Sequence, residues 1–377
     1  MLKLVRPLFV LTLSFAAFVP AVHAADNAHS NPPSTLFVMT NDAAKNEVIA
    51  YERLLDGRLS FKQRLVTGGR GSGGTTDPLQ SQGSLTITGD RRVLLAINSG
   101  SGTVSSFRLL DGLPILVDQE PTGGSEPVAV AEHNGNVYVL NAGGNGAILV
   151  FHIDGRGQLR QMPNSTVRLT ATHSGASSIS VSPDGRTLAV IEKVPNNIDT
   201  FPIHPDGTLG DVVVNHSVTP GVFSGVFTPT GKLIVSENQP GGSEVSSVSS
   251  YAVNTNGTIT AISQSLPTRG DGNCWNALTP NGRFVYVDNS ATGTVAGFSV
   301  AATGAMAPIG GTIVGFRAAN TTNLDMAISA DGRYLYTLNS GTGSVGIFQI
   351  NADGSLQDLG EIEGLPKTVG FNGIAAL

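Results

Sequence analysis

The sequence predicts an all-β fold, a seven-bladed β-propeller of four-stranded blades. Three observations carry that reading. The composition holds 47 Gly and 20 Pro with only 13% charged residues, which describes short strands and tight turns. One strand–turn–strand phrase recurs at a spacing of about 50 residues, the length of a four-stranded blade. The chain also begins its repeats one strand short and ends on an orphan strand.

Residues 1–24 read as a secretory signal peptide. Lys3 and Arg6 precede an apolar run from Leu8 to Val19, and Val22-His23-Ala24 supplies the small residues of a cleavage site. Residues 25–33 read as a flexible linker, and 34–377 as the propeller. No later stretch approaches the roughly 18 apolar residues of a spanning helix, so the expectation is a periplasmic or secreted protein without a membrane span.

The remaining chain, about 350 residues, exceeds the ~250–300 residues of one compact core, a limit that repeat folds escape. The full chain's 22 basic and 28 acidic residues give a net charge of −6, and the loss of Lys3 and Arg6 makes this −8. With no basic block, nucleic acid is excluded as a partner. The lone Cys274 cannot form an internal disulfide and is expected to be a buried apolar residue.

Within each repeat an inner strand leads to a Pro-Asp-Gly-type turn, as in Ser182-Pro183-Asp184-Gly185-Arg186, Thr279-Pro280-Asn281-Gly282-Arg283 and Ser329-Ala330-Asp331-Gly332-Arg333. Pro presets φ, Asp or Asn caps the turn, and Gly takes the positive φ. A second strand follows, ending at Asn98, Asn141, Glu192, Glu237, Asn289 or Asn339. The outer strands join through a later turn, such as Asp56-Gly57, Asp206-Gly207 or Asp353-Gly354. The tail Phe371–Leu377 has the pattern of a first strand and is expected to complete blade one beside Leu36–Thr40, protecting the sheet edges.

Aligning the first strands predicts a polar column at the mouth of a central channel, with Gln82, Glu126, Asn273, Asn323 and Asn372 at one level and Trp275 and Asp325 deeper. Buried unpaired, such groups are costly, so they line either water or a ligand cup. Most strand-end asparagines read as turn caps. Glu192 and Glu237 offer no better turn chemistry and are site candidates, with Glu126 a further carboxylate for acid–base work or a divalent cation. Arg70, Arg269, Arg317 and His173 lie on connections into first strands, where a cation could hold a substrate carboxylate. The segment Gly68–Gly74 has no helix after it and reads as a flexible connector rather than a phosphate loop.

The Ser182–Val190 turn and strand, with Gly282-Arg283-Phe284-Val285-Tyr286-Val287 and Gly332–Asn339, resemble the lactonase family of seven-bladed propellers, which includes 6-phosphogluconolactonases and carboxymuconate cyclases. Cys274-Trp275 is similar to an exported branch of it. The resemblance implies a His, a Glu and arginines around the channel mouth. His173-Ser174 and Glu237-Asn238 match the first two. The family's arginines align near Val222-Phe223 and at Ser290, leaving Arg269 as a substitute.

The sequence therefore leads to an exported lactone hydrolase or cyclase acting on a small carboxylated ring. His173 or Glu237 would be the general base, Arg269 or Arg317 the carboxylate anchor, and Gln82, Glu126, Glu192, Asn273, Trp275, Asn323, Asp325 and Asn372 the cup. The alternative is a non-catalytic scaffold binding a ligand or partner. A third reading is a metal held by Glu126, Glu192 and Glu237. No cofactor is expected, and the protein is expected to be a monomer with a small-molecule ligand.

Overall fold

The computed structural model describes residues 34–377 except 76, 240–243, 319–320 and 368–369. The expected leader and linker lie outside the described residues. Among the described residues no helix is long and apolar enough to cross a membrane.

The 28 strands form seven antiparallel sheets, numbered here as blades one to seven in chain order. The first strand of each blade is innermost, and these strands touch one another in a closed ring: Leu85–Ile87, Pro127–His133, Ala176–Val181, Val222–Phe227, Asn273–Leu278, Asn323–Ile328 and Ile374–Ala376. The all-β, seven-bladed expectation holds. So does the closure, because Ile374–Ala376 pairs antiparallel with Thr35–Met39, placing Val38 opposite Ile374 and Leu36 opposite Ala376.

The turn chemistry is visible atom by atom. Between the first two strands of blade four, the Ser182 hydroxyl donates to Asp184 Oδ1 (2.6 Å) and accepts from Thr187 N (3.0 Å), while Asp184 Oδ1 accepts from Arg186 N. Ser329-Asp331 and Thr279-Asn281 repeat the arrangement. Each turn therefore starts its second strand in one register.

Alternation along the strands buries one residue set toward each neighbouring blade. The layer between blades seven and one holds Leu36, Val38, Tyr336, Leu338, Phe371 and Ile374. Cys274 is free and buried, packed with Trp275, Phe223 and Phe284.

Two outer edges depart from a continuous fourth strand. In blade three it is split into Leu159–Gln161 and Val167–Arg168, on either side of Pro163, which has no N–H to give a ladder. In blade four it is reduced to isolated bridges from Asn197 to His216, Thr200 to Val213 and Ile203 to Leu209. The Gly68–Gly74 segment is not a slack connector. Gly71 N donates to Asp42 O (2.7 Å), Gly73 N to Asn41 O (3.0 Å), and Gly100 N to Arg70 O (3.0 Å).

Candidate functional site

The strand-end residues form latches between blades. In blade two, Asn98 accepts from Thr67 Oγ1 of the preceding connector (2.5 Å) and donates to Thr103 (3.0 Å) and Ser105 (2.8 Å). Asn141 accepts likewise from Thr122 (2.6 Å). Asn289 and Asn339 donate to Thr294 and Ser344.

Glu192 and Glu237 occupy the same latch in blades four and five, and both are fully buried. Glu237 is held by the Ser247 and Ser217 hydroxyls, and burial pushes its pKa up against those hydrogen bonds. Glu192 shares Thr170 Oγ1 with Asp199, at 3.0 and 2.9 Å. Burial and the nearby Asp199 charge raise the Glu192 pKa, and burial pushes Asp199 up to about 6. These carboxylates therefore lie between blades rather than on an open rim, because the Asn position they replace already faces the neighbouring connector.

Arg317 is likewise inside the wall. Its guanidinium pairs with Asp358 (2.9 Å), donates to Gly360 O (2.6 Å), and stacks over Phe348 with 4.5 Å to the ring centroid. A Cβ on Gly346 would come within 2.7 Å of the Arg317 Nε, so that glycine makes room for it.

The mouth of the channel is plugged. The connector from blade one to blade two runs from Thr67 to Ser84, between strands Leu59–Val66 and Leu85–Ile87, and its last residues cross the axis. Gln82 N donates to Ser177 O of blade four (2.9 Å). The Gln82 amide exchanges two hydrogen bonds with the Asn276 backbone in blade six, at 2.6 and 3.1 Å. Trp275 Nε1 donates to Ser81 O (2.9 Å). Asn372 accepts from Ser84 Oγ (2.7 Å) and donates to Ser81 O (3.3 Å). Gln82, Trp275 and Asn372 thus hold the plug. Asn273 and Asn323 were expected in the cup but turn into the wall: Asn273 donates to Ser247 O of blade five and Asn323 accepts from Thr321 Oγ1. Asp325 is buried, and burial raises its pKa well above the usual carboxylate range, with the Asp77 charge adding to the shift.

Beside the plug, over blades two to four, a cleft of about 760 Å³ is open to solvent. Its walls bring together Glu126, His173 and Lys193 with the hydroxyls of Ser72, Ser99 and Ser125. One turn positions the first two: Ala142 N donates to Glu126 O (2.9 Å), Gly143 N to Ser125 O (3.0 Å), and His173 N to Gly144 O (3.1 Å). Glu126 has φ 53°, at the position before a first strand where blades four, five and six use Gly175, Gly221 and Gly272, and blade seven keeps a side chain too, Thr322 at φ 48°. Both Glu126 and His173 are exposed.

Sequence reading missed Lys193. It follows the blade-four latch residue directly, and only the folded loop shows that its ammonium reaches the plug, donating to Gln80 O (2.8 Å) and Gln80 Oε1 (3.1 Å) above the Phe223 ring. Burial lowers its pKa, and the Asp77 charge opposes that shift. Arg269 and Arg70 are exposed and are not among the residues that line the cleft. The Glu126, Glu192 and Glu237 metal set does not assemble, and among the described residues no three His, Cys, Asp or Glu side chains converge.

Burial pushes the Asp77 pKa up to about 6, opposed by Lys193 and by hydrogen bonds from Gln80 and Asn372. The folded chain thus holds this proton more tightly than the unfolded chain, whose carboxyl has an ordinary value of 3.8. The resulting stability is full below the unfolded value and is lost as pH rises through about 6. Asp77→Asn keeps the acceptor oxygen and should flatten the fall in Tm between pH 4 and 7, with a gain on the order of 1–2 kcal/mol at neutral pH. An unchanged slope in thermal melts would refute this assignment.

Residues 227–368 match the model of the Lactonase family, a 7-bladed beta-propeller. No curated protein matches the chain. Among solved structures the chain is similar to a periplasmic gluconolactonase of Pseudomonas aeruginosa, at 19% identity and TM-score 0.64, over 90% of this chain and 99% of that one. It is similar to a candidate 6-phosphogluconolactonase of Bacteroides uniformis, at 18% identity and TM-score 0.62, over 90% and 100% of the two chains. Hydrazine synthase of Kuenenia stuttgartiensis is also similar, at 15% identity and TM-score 0.59, over 89% and 99%. At these identities the likeness is one of fold, and the fold hosts different chemistries.

Proposed function

We propose, from the similarity of residues 227–368 to the model of the Lactonase family of 7-bladed beta-propellers, that this chain is an exported hydrolase of small carboxylated lactones. The observation that carries the reading is the cleft that Lys193, His173 and Glu126 all line, beside a channel mouth crossed by the plug. The leader expected over residues 1–24 supports export, as does the similarity to a periplasmic P. aeruginosa lactonase.

Each residue has a physical role in this reading. Lys193 gives two of its three N–H bonds to Gln80, leaving one for an anionic substrate oxygen. His173, on an exposed connector, is placed to take the proton from an attacking water, and Glu126 to orient that water or the imidazole. The Ser72, Ser99 and Ser125 hydroxyls suit a polyhydroxylated ring. Ring opening adds water across the acyl C–O bond. The proton taken by His173 returns to the leaving alkoxide, so no cofactor is consumed.

The test is turnover of a panel of five- and six-membered carboxylated lactones, followed by proton release. His173→Ala should lower kcat about 10²–10⁴-fold, and Lys193→Ala should act mainly on KM. Arg269→Ala should leave both unchanged. Saturable ligand binding without any turnover would sink the hydrolase in favour of a binding scaffold, the reading that the occupied Lys193 and the sealed channel also accommodate.

A further inference from the structure

The latch of blade four has more acceptors than donors. In blade two the central residue is an amide, Asn98, which donates to Thr103 and Ser105. In blade four the corresponding residues are Glu192, Asn197 and Asp199, fixed by the register that pairs Asn98 with Thr103 and Glu192 with Asn197. The donor has become a carboxylate, and a second carboxylate stands where Ser105 was. These three side chains share one face of the sheet, since cross-strand partners and residues two apart point the same way.

The donors facing Glu192 are Thr170, through its hydroxyl and backbone N–H, and the Ser174 hydroxyl, and four observations show that they do not satisfy all the acceptors of this cage. Glu192 Oε1, Asp199 Oδ1 and Asn197 Oδ1 are buried without a hydrogen-bond partner. Thr170 Oγ1 lies within 3.0 Å of both carboxylates, yet one hydroxyl proton serves only one of them. Glu192, Asn197 and Asp199 are each less than 5% exposed, so bulk water does not reach them. No Lys, Arg or His pairs with either acid among the described ion pairs.

We propose that Glu192 and Asp199, with the oxygens of Asn197 and Thr170, bind a hard, oxygen-liganded cation of the Ca²⁺ class between blades three and four. Carboxylate, amide and hydroxyl oxygens are the donors such a cation takes. None of these four residues lines the cleft. Thr170 belongs to the connector that carries His173, and Glu192 precedes Lys193. A cation here would therefore stiffen both walls of the cleft. The inference stands independently of the lactonase reading.

The full chain, stripped with EDTA and returned to chelator-free buffer at pH 8, is titrated with CaCl₂ while its melting is followed, with KCl at equal ionic strength as control. Ca²⁺ should raise Tm saturably by about 2–5 °C, and native mass spectrometry should show one calcium adduct. Glu192→Gln restores an amide at the latch, and Asp199→Asn removes the second charge. Both should melt at or above the stripped wild type and lose the Ca²⁺ response. A wild-type Tm that ignores Ca²⁺, or a shift that survives both substitutions, would overturn the assignment, the first leaving a proton-neutralised pair and the second a cation elsewhere.

Discussion

A chain ending at Gly370 will not melt as a cooperative propeller under conditions where the full chain does. The seven missing residues supply the innermost strand of blade one. Phe371 is fully buried, and Ile374 and Ala375 are under 10% exposed, in the layers that join blade one to blades seven and two. Removing a buried Phe and a buried Ile costs on the order of 3–5 and 2–5 kcal/mol. The strand also carries the bonds from Met39 N to Gly373 O and from Leu377 N to Thr35 O, both 2.9 Å. Its loss would expose the backbone edge of Thr35–Met39. The sum is comparable to the whole stability of a typical domain, ~5–15 kcal/mol. Calorimetry of purified protein decides it. A truncated chain melting within a few degrees of the parent would show that closure is dispensable.

The second large effect belongs to Trp275, the one tryptophan of the chain. It is 1% exposed, packs edge-on against Phe223 with centroids 5.1 Å apart, and holds the plug through Ser81 O. Trp275→Ala should cost ~3–5 kcal/mol, a fall in Tm on the order of 10 °C, and should expose the Asp77–Gly83 segment to protease. Trp275→Phe retains most of the volume and loses only the N–H donor, so its cost should be about 1–2 kcal/mol. If both variants melt together and the plug resists cleavage in each, the indole is not what retains it.

The architecture was legible because its causes are local. Ser182-Pro183-Asp184-Gly185 and its cognates each specify a turn from side chain to adjacent backbone, and the seven repeats differ little in length. The tail was legible from chain order alone, since a ring one strand short at its start needs that strand from its end. The site was less so. Glu126 was found in the column at the start of the inner strands, and His173 on a connector into one. Glu192 and Glu237, at the ends of second strands, and Arg317, on a connector, look equally open in sequence, yet their side chains turn into the wall.

Periodicity, turn chemistry and the unpaired last strand were thus sufficient to say how many blades there are and how they close. Whether a polar residue faces solvent, a neighbouring blade or the axis was settled only by packing. The eighteen-residue connector from Thr67 to Ser84 has no period of its own. Its path is set by partners in blades four and six, roughly 100 and 190 residues away in the chain. Such long-range hydrogen bonds leave no local trace, because each of the two segments satisfies its backbone only once the other has arrived.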